Sequence, residues 1–237
     1  MVLEDSVILI TGATGTLGRA VVQASSATNA RLVLTARQSD SLETLAAELD
    51  LSPERTRLIP ADLTDHAAVD ALIVEIAQQW DGADILLNTT GGWAGGDRLA
   101  DLSPDSWDAM LALNLRTAFL ICRAVLPHML ERGWGRIVNV ASRAAPEPAA
   151  RQAAYNVAKA GVVALTESIA QDYRRKGITA NAILPSIIDG PSNRSSMPDA
   201  DHSRWVKPED IASMMLYLCS DAAASINGAS IPMYGGV

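Results

Sequence analysis

Short runs of apolar residues alternate along this chain with longer stretches whose apolar positions recur at the helical period. The short runs are Ser6–Ile10, Arg31–Thr35, Thr56–Pro60, Ile85–Asn88, Gly135–Val140, Thr179–Leu184 and Ser230–Met233. Most are continuously apolar rather than alternating, as expected for parallel strands buried on both faces. The longer stretches, Thr16–Ala27, Asp40–Leu49, Asp65–Gln79, Pro104–Glu131, Ala150–Lys176 and Pro208–Ser220, read as helices. Asp65 and Ser103-Pro104 are N-terminal signals, and Lys176-Gly177 is a C-terminal one. Regular alternation of strand and helix predicts a doubly wound α/β sheet, in a single domain over residues 1–237. One segment breaks the rhythm. Pro185–Val206 is polar, rich in Ser, Pro and Asp, and about twenty residues long, a length typical of functional lids. A mobile lid over the substrate is therefore expected at 186–206.

Hydrophobic residues make up 49% of the chain, enough for a sizeable core, so disorder is excluded. The net charge is −8 and no basic run appears, which argues against nucleic acid or an anionic membrane as partner. An anionic ligand must then be held by local devices such as a helix N-terminus or one arginine. Cys122 and Cys219 lack CxxC spacing and lie in apolar helical sequence, the setting of buried reduced thiols. The first strand begins at Val7, which leaves no room for a signal peptide, and no apolar run is expected to reach membrane-spanning length. These features predict a soluble cytoplasmic protein. No His, Cys or carboxylate cluster suggests a metal.

The first strand runs into Thr11-Gly12-Ala13-Thr14-Gly15-Thr16-Leu17-Gly18, which opens the first helix. Gly12 permits a tight turn, Gly15 lets backbone approach a pyrophosphate, and Gly18 allows close helix–strand packing. The helix N-terminus offers N–H donors to the anion. The second strand ends at Ala36-Arg37. An acidic residue there would bind the ribose hydroxyls of NAD, whereas an arginine accommodates the 2′-phosphate of NADP. NADP(H) is therefore expected over NAD(H), with Arg37 as the reader. Asp62-Leu63 follows the third strand, where it would sit beside an adenine. Asn88 ends the fourth and would stabilise the sheet near the cofactor.

Tyr155 and Lys159 stand four apart and so share one helix face. An ammonium close to a phenol favours the phenolate, which would tune the tyrosine towards acid/base work near neutral pH. Ser142 and Asn114 precede this pair.

The order and spacing of TGATGTLG (11–18), Asp62-Leu63-Thr64, Asn88-Thr89-Thr90-Gly91, Asn114, Ser142, YNVAK (155–159) and Asn181-Ala182-Ile183-Leu184-Pro185 resemble the short-chain dehydrogenase/reductase family over essentially the whole chain. The resemblance implies a Rossmann-like domain with a seven-stranded parallel sheet, nicotinamide-dependent chemistry, and a homotetramer or homodimer. It implies that Tyr155 donates a proton to a carbonyl oxygen and that Ser142 hydrogen-bonds that oxygen. Lys159 would lower the tyrosine pKa and hold the nicotinamide ribose. Asn114 would anchor a proton relay to Lys159. Gly12, Thr14, Gly15, Thr16, Leu17, Gly18, Gly91, Pro185 and Ile188 would complete the cofactor site. The chain departs from the simple pattern at Gly15, at Ser186 and at Gly190. A narrower stretch, Gly91–Gly96 with Ser196-Met197-Pro198 and Trp205, is similar to dihydropteridine reductase. It nominates Trp93 and Trp205 as substrate contacts, or else as core or lid packing. The expected activity is reduction of a small ketone or quinone-like carbonyl. The alternatives are quinonoid dihydropterin reduction and non-catalytic NADP(H) sensing.

Overall fold

The computed structural model describes residue 3 and residues 5–237. Strands β1 (Val7–Thr11), β2 (Arg31–Thr35), β3 (Thr56–Leu58), β4 (Ile85–Asn88), β5 (Gly135–Val140), β6 (Ile178–Pro185) and β7 (Ser230–Met233) form one sheet in the order β3-β2-β1-β4-β5-β6-β7. Every pairing is parallel. Helices α1 (Thr16–Ser26), α2 (Ser39–Glu48), α3 (His66–Trp80), α4 (Pro104–Leu111), α5 (Thr117–Arg132), α6 (Ala153–Tyr173), α7 (Pro191–Ser196) and α8 (Pro208–Cys219) connect the strands.

The continuous apolar runs have a direct cause. Successive side chains on a strand point to opposite faces, and both faces here are covered. Val7 and Leu9 of β1 and Leu86 of β4 pack with Val69, Leu72, Ile121 and Val125 from α3 and α5. Ile8 and Ile10 of β1 and Leu87 of β4 pack with Val21, Leu42, Met215 and Leu218 from α1, α2 and α8. The order reverses between β1 and β4, so the carboxyl ends of these strands open a crevice at the switch point, where ligands of such sheets bind.

Local signals behave as expected at several boundaries. Asp65 Oδ1 accepts from Ala67 N at 3.0 Å, and Ser103 Oγ accepts from Ser106 N at 3.1 Å ahead of Pro104. α6 ends at Tyr173, before the expected Lys176, and the chain leaves it through Gly177 at φ +74°.

The single helix expected over Pro104–Glu131 is instead interrupted by a π-helical turn over Ala112–Arg116. Such turns insert one residue into the helical ladder and often mark functional positions. Asn114 lies within it. A second correction concerns the membrane: Pro104–Arg132 is long and apolar enough to cross one by length and composition. Half of its apolar window is buried within the protein, and it packs as a core helix on β4 and β5. Cys122 and Cys219 are buried free thiols, and burial pushes each up to about 12.

The segment 186–206 is not a structureless loop. It carries α7 and a short 3₁₀ turn at His202–Arg204. Its ends are tied by a bridge between Ile188 and Val206, and Arg194 Nε pairs with Asp189 Oδ1 at 2.6 Å.

Candidate active site

A cavity of about 1060 Å³ runs from the glycine turn after β1 to the start of α6. Gly12, Gly15, Thr16, Leu17 and Gly18 line one end, and Ser142, Tyr155 and Lys159 line the other. Gly91, Pro185 and Ile188 lie between them on its wall. Residues separated by more than a hundred positions therefore meet because β1, β4, β5 and β6 end side by side.

The turn depends on its glycines in two places. Gly12 holds φ +62°, a left-handed conformation. A Cβ on Gly18 would collide with the Gly12 carbonyl oxygen, so α1 can approach the turn only with glycine there. Gly15 caps α1 without a side-chain hydrogen bond, which leaves the first N–H groups of the helix free for an anion. The size of the cavity, the bare helix N-terminus and the polar cluster at the far end fit a nicotinamide dinucleotide.

Below the cavity floor, buried side chains form a chain across the sheet. Thr11 Oγ1 donates to Asn88 Oδ1 at 2.7 Å. Asn88 Nδ2 donates to Asn139 Oδ1 at 2.9 Å, and Asn139 Nδ2 donates to Thr166 Oγ1 at 3.0 Å. This ties the glycine-turn strand to α6, the helix that carries Tyr155 and Lys159. Asn88 thus sits in the sheet, 2% exposed, and its amide is spent on protein partners. It does not line the cavity and ties the sheet together beneath it.

Ser142 leaves the end of β5. Ala144 N donates to its Oγ at 3.1 Å. Tyr155 and Lys159 project from the first turns of α6, with Lys159 Nζ 5.9 Å from the centroid of the Tyr155 ring. Lys159 Nζ donates to Val140 O at 2.9 Å. Asn114 is 1% exposed, and its Nδ2 donates to Gly92 O at 3.0 Å while its Oδ1 accepts from Gly92 N at 3.2 Å. A Cβ on Gly91 would meet Asn114 Oδ1 at 2.8 Å and Lys159 Nζ at 3.1 Å, so both polar atoms flank that glycine.

The expected electrostatics need correction. Burial raises the Tyr155 phenol above its ordinary value, and a hydrogen bond with Ser142 opposes this. Burial also pushes the Lys159 ammonium itself down, from 10.5 to about 8. Between those two values the unfolded chain holds a proton that the folded chain has shed. The contribution of Lys159 to stability is therefore least favourable below pH 8 and improves between pH 8 and 10.5. Relative to Lys159→Met, the wild-type denaturant midpoint is expected to climb across that window. Parallel midpoint curves for the two proteins would show that the ammonium is solvated.

The model of the family described as short chain dehydrogenase matches residues 6–201. The chain belongs to the short-chain dehydrogenase family. A D-threitol dehydrogenase of Mycolicibacterium smegmatis is 35% identical, with 99% of this chain and 93% of that protein covered. A D-beta-hydroxybutyrate dehydrogenase of Rhizobium meliloti is 30% identical, with 96% of each covered. Among solved structures, a variant of an actinorhodin polyketide ketoreductase crystallised with NADPH matches at TM-score 0.90 and 28% identity, over 100% of this chain and 98% of that one. This short-chain dehydrogenase is thus an oxidoreductase acting on CH–OH or C=O groups.

Other nominated residues fall outside the cavity of this short-chain dehydrogenase. Thr14 is exposed on the glycine turn but does not line the cavity, and Leu63 is 5% exposed within the core. Arg37 and Asp62 are exposed and do not line the cavity. Bonds from the Thr64 backbone and hydroxyl hold the Asp62 carboxyl below its usual range, against a small burial effect, with a contribution from the charge of Arg37. Trp93 lines the cavity, 64% exposed, and its Nε1 donates to Gln152 Oε1 at 2.9 Å. Trp205 does not. It is 6% exposed and packs against His202 with ring centroids 4.3 Å apart, so it anchors the base of the 186–206 segment.

Sequence reasoning missed Arg143, Glu147 and Gln152, all of which line the cavity. Arg143 had one available signal, its place next to Ser142. The others lie in connections or caps whose course no periodicity describes.

Proposed function

We propose that this short-chain dehydrogenase interconverts a small ketone and its secondary alcohol with NADP(H). The observation that carries the reading is the shared cavity of Ser142, Tyr155, Lys159 and the glycine turn. A nicotinamide, when bound, supplies or accepts the hydride. The chain's own groups handle the rest. In the reducing direction Tyr155 Oη gives its proton to the carbonyl oxygen, where charge develops, and Ser142 Oγ donates a second hydrogen bond there. The raised phenol pKa keeps that proton in place around neutral pH. Lys159 and Asn114, on either side of Gly91, hold the loop and the ribose end of the cofactor.

Two features support NADP(H) over NAD(H). β2 is followed by Ala36 and Arg37 with no acidic residue, and Arg37 makes no hydrogen bond or short ion pair among the described residues. Its guanidinium is thus available to a 2′-phosphate. The test has two parts. NADPH and NADH consumption are measured with a panel of small ketones, quinones and dihydropterin, and cofactor affinities are then measured for Arg37→Ala. The variant is expected to lose about tenfold or more of its affinity for NADPH, the scale of one charged hydrogen bond, with little change for NADH. Equal losses would remove the NADP assignment, and consumption with no carbonyl on the panel would leave only the sensing alternative. The dihydropterin reading has less support, because of its two nominated tryptophans only Trp93 reaches the cavity.

A further inference from the structure

The turn that carries Ser142 also carries two charged side chains that the chemistry above does not use. Arg143 N donates to Pro185 O at 2.9 Å, and Glu147 N donates to Arg143 O at 3.0 Å, so the turn is pinned to the end of β6. Both side chains line the cavity. Arg143 Nε donates to Glu147 Oε2 at 2.7 Å. Arg143 Nη1 donates to Val237 O at 2.8 Å, and the guanidinium lies 5.1 Å from the Tyr234 ring centroid.

These contacts fix the pair and leave part of it unused. Among the described residues, Arg143 Nη2 donates to nothing and Glu147 Oε1 accepts nothing. A pair of strong donors therefore stands beside a strong acceptor, one residue and one turn away from Ser142. The charges of the pair cancel, so it offers little net attraction to an anion. A substrate carboxylate reaching for Arg143 would also meet the carboxylate of Glu147. The two side chains are 37% and 51% exposed, and a flat apolar ring laid over them would displace their water without offering either a hydrogen bond. A hydroxyl group donates and accepts at once, and adjacent hydroxyls satisfy both unused atoms.

We infer that Arg143 and Glu147 recognise hydroxyl groups next to the reacting carbon, and that the substrate is a short polyhydroxylated alcohol or its ketone. The inference rests on the oxidoreductase reading above. It narrows that reading from any small carbonyl to one that carries neighbouring hydroxyls. A site built to hydrogen-bond a hydroxyl rejects the analogue that lacks it strongly.

The test compares three four-carbon probes as alcohols with NADP⁺ and with NAD⁺: a butane-1,2,3,4-tetrol, butan-2-ol and 3-hydroxybutyrate. Wild type is expected to favour the tetrol over butan-2-ol by about 10²-fold or more in kcat/KM, and to use 3-hydroxybutyrate poorly. In Glu147→Ala the tetrol is expected to lose about 10²-fold, mainly through KM, while kcat/KM for 3-hydroxybutyrate rises because Arg143 loses its carboxylate partner. A merely structural role for Glu147 would lower all three together and would overturn the inference. So would a wild-type preference for 3-hydroxybutyrate or for butan-2-ol. Circular dichroism and NADPH binding confirm that the variant is folded and loaded. Absence of turnover for all three probes and for the ketone panel, with cofactor binding intact, would defeat the oxidoreductase reading itself and the inference with it.

Discussion

Tyr155→Phe is expected to lower kcat by about 10²–10⁴-fold, the range of one general acid, while NADPH affinity stays within about threefold. The ring is retained, so packing at the start of α6 is preserved, and only the hydroxyl is lost. Ser142 can still donate to the carbonyl oxygen, but nothing else in the cavity holds a proton at that point. Lys159 Nζ donates to Val140 O and stands 5.9 Å from the centroid of the Tyr155 ring. Steady-state kinetics with the best ketone from the panel, paired with NADPH fluorescence titration, read the two quantities separately. A kcat within tenfold of wild type would mean that the proton comes from solvent. The cavity would then be an orienting pocket without a general acid.

Gly18→Ala is expected to raise the Kd for the dinucleotide by about 10²-fold, with a loss of stability of about 1–3 kcal/mol, the usual range for overpacking. The added methyl would collide with the Gly12 carbonyl oxygen and crowd the carbonyl carbons of Gly12 and Ala13. These are backbone atoms, so relief requires α1 or the turn to move. Either movement displaces the N–H groups at the start of α1 from the position the anion needs. Ala is also a better helix former than Gly, so a purely local propensity effect would have the opposite sign. Thermal melts with and without NADPH separate the two contributions. An unchanged ligand-induced shift would show that the helix N-terminus does not contact the cofactor.

Legibility from sequence followed the kind of physics involved. The inner strands were readable because both sheet faces are buried there, which forces continuous apolar runs such as Val7–Ile10 and Ile85–Leu87. Asp65 and Ser103 were readable because capping is local, spanning two or three residues. The π turn at Ala112–Arg116 was not readable, because the same residues form an unbroken helix by propensity. Asn114 gains its inward position from the inserted residue and from its bonds to Gly92, which is distant in sequence. Trp205 shows the converse. Its sequence neighbours left it open between a substrate contact and packing, and contact with His202 beside the Ile188–Val206 bridge makes it a packed anchor of the 186–206 segment.

The electrostatics were the least legible. Spacing puts Tyr155 and Lys159 on one helix face, and from spacing alone the ammonium should lower the phenol pKa. Depth of burial raised the phenol instead and took the lysine from 10.5 down to about 8. Burial depends on what β5, β6, α4 and the π turn pack against α6, and no local pattern encodes it.

By itself, then, the sequence determined the order of strands and helices, the glycine turn, and the residue types of the Ser142–Tyr155–Lys159 group. Each of these rests on short-range periodicity, steric permission or spacing along one helix. Only the tertiary structure decided which of the nominated side chains share a cavity. It withdrew Asn88, Leu63 and Trp205 into the protein and brought Arg143 and Glu147 to the cavity wall. The reason is that a parallel sheet gathers the ends of strands far apart in sequence at one edge, and what those ends expose or bury is settled by packing across the sheet.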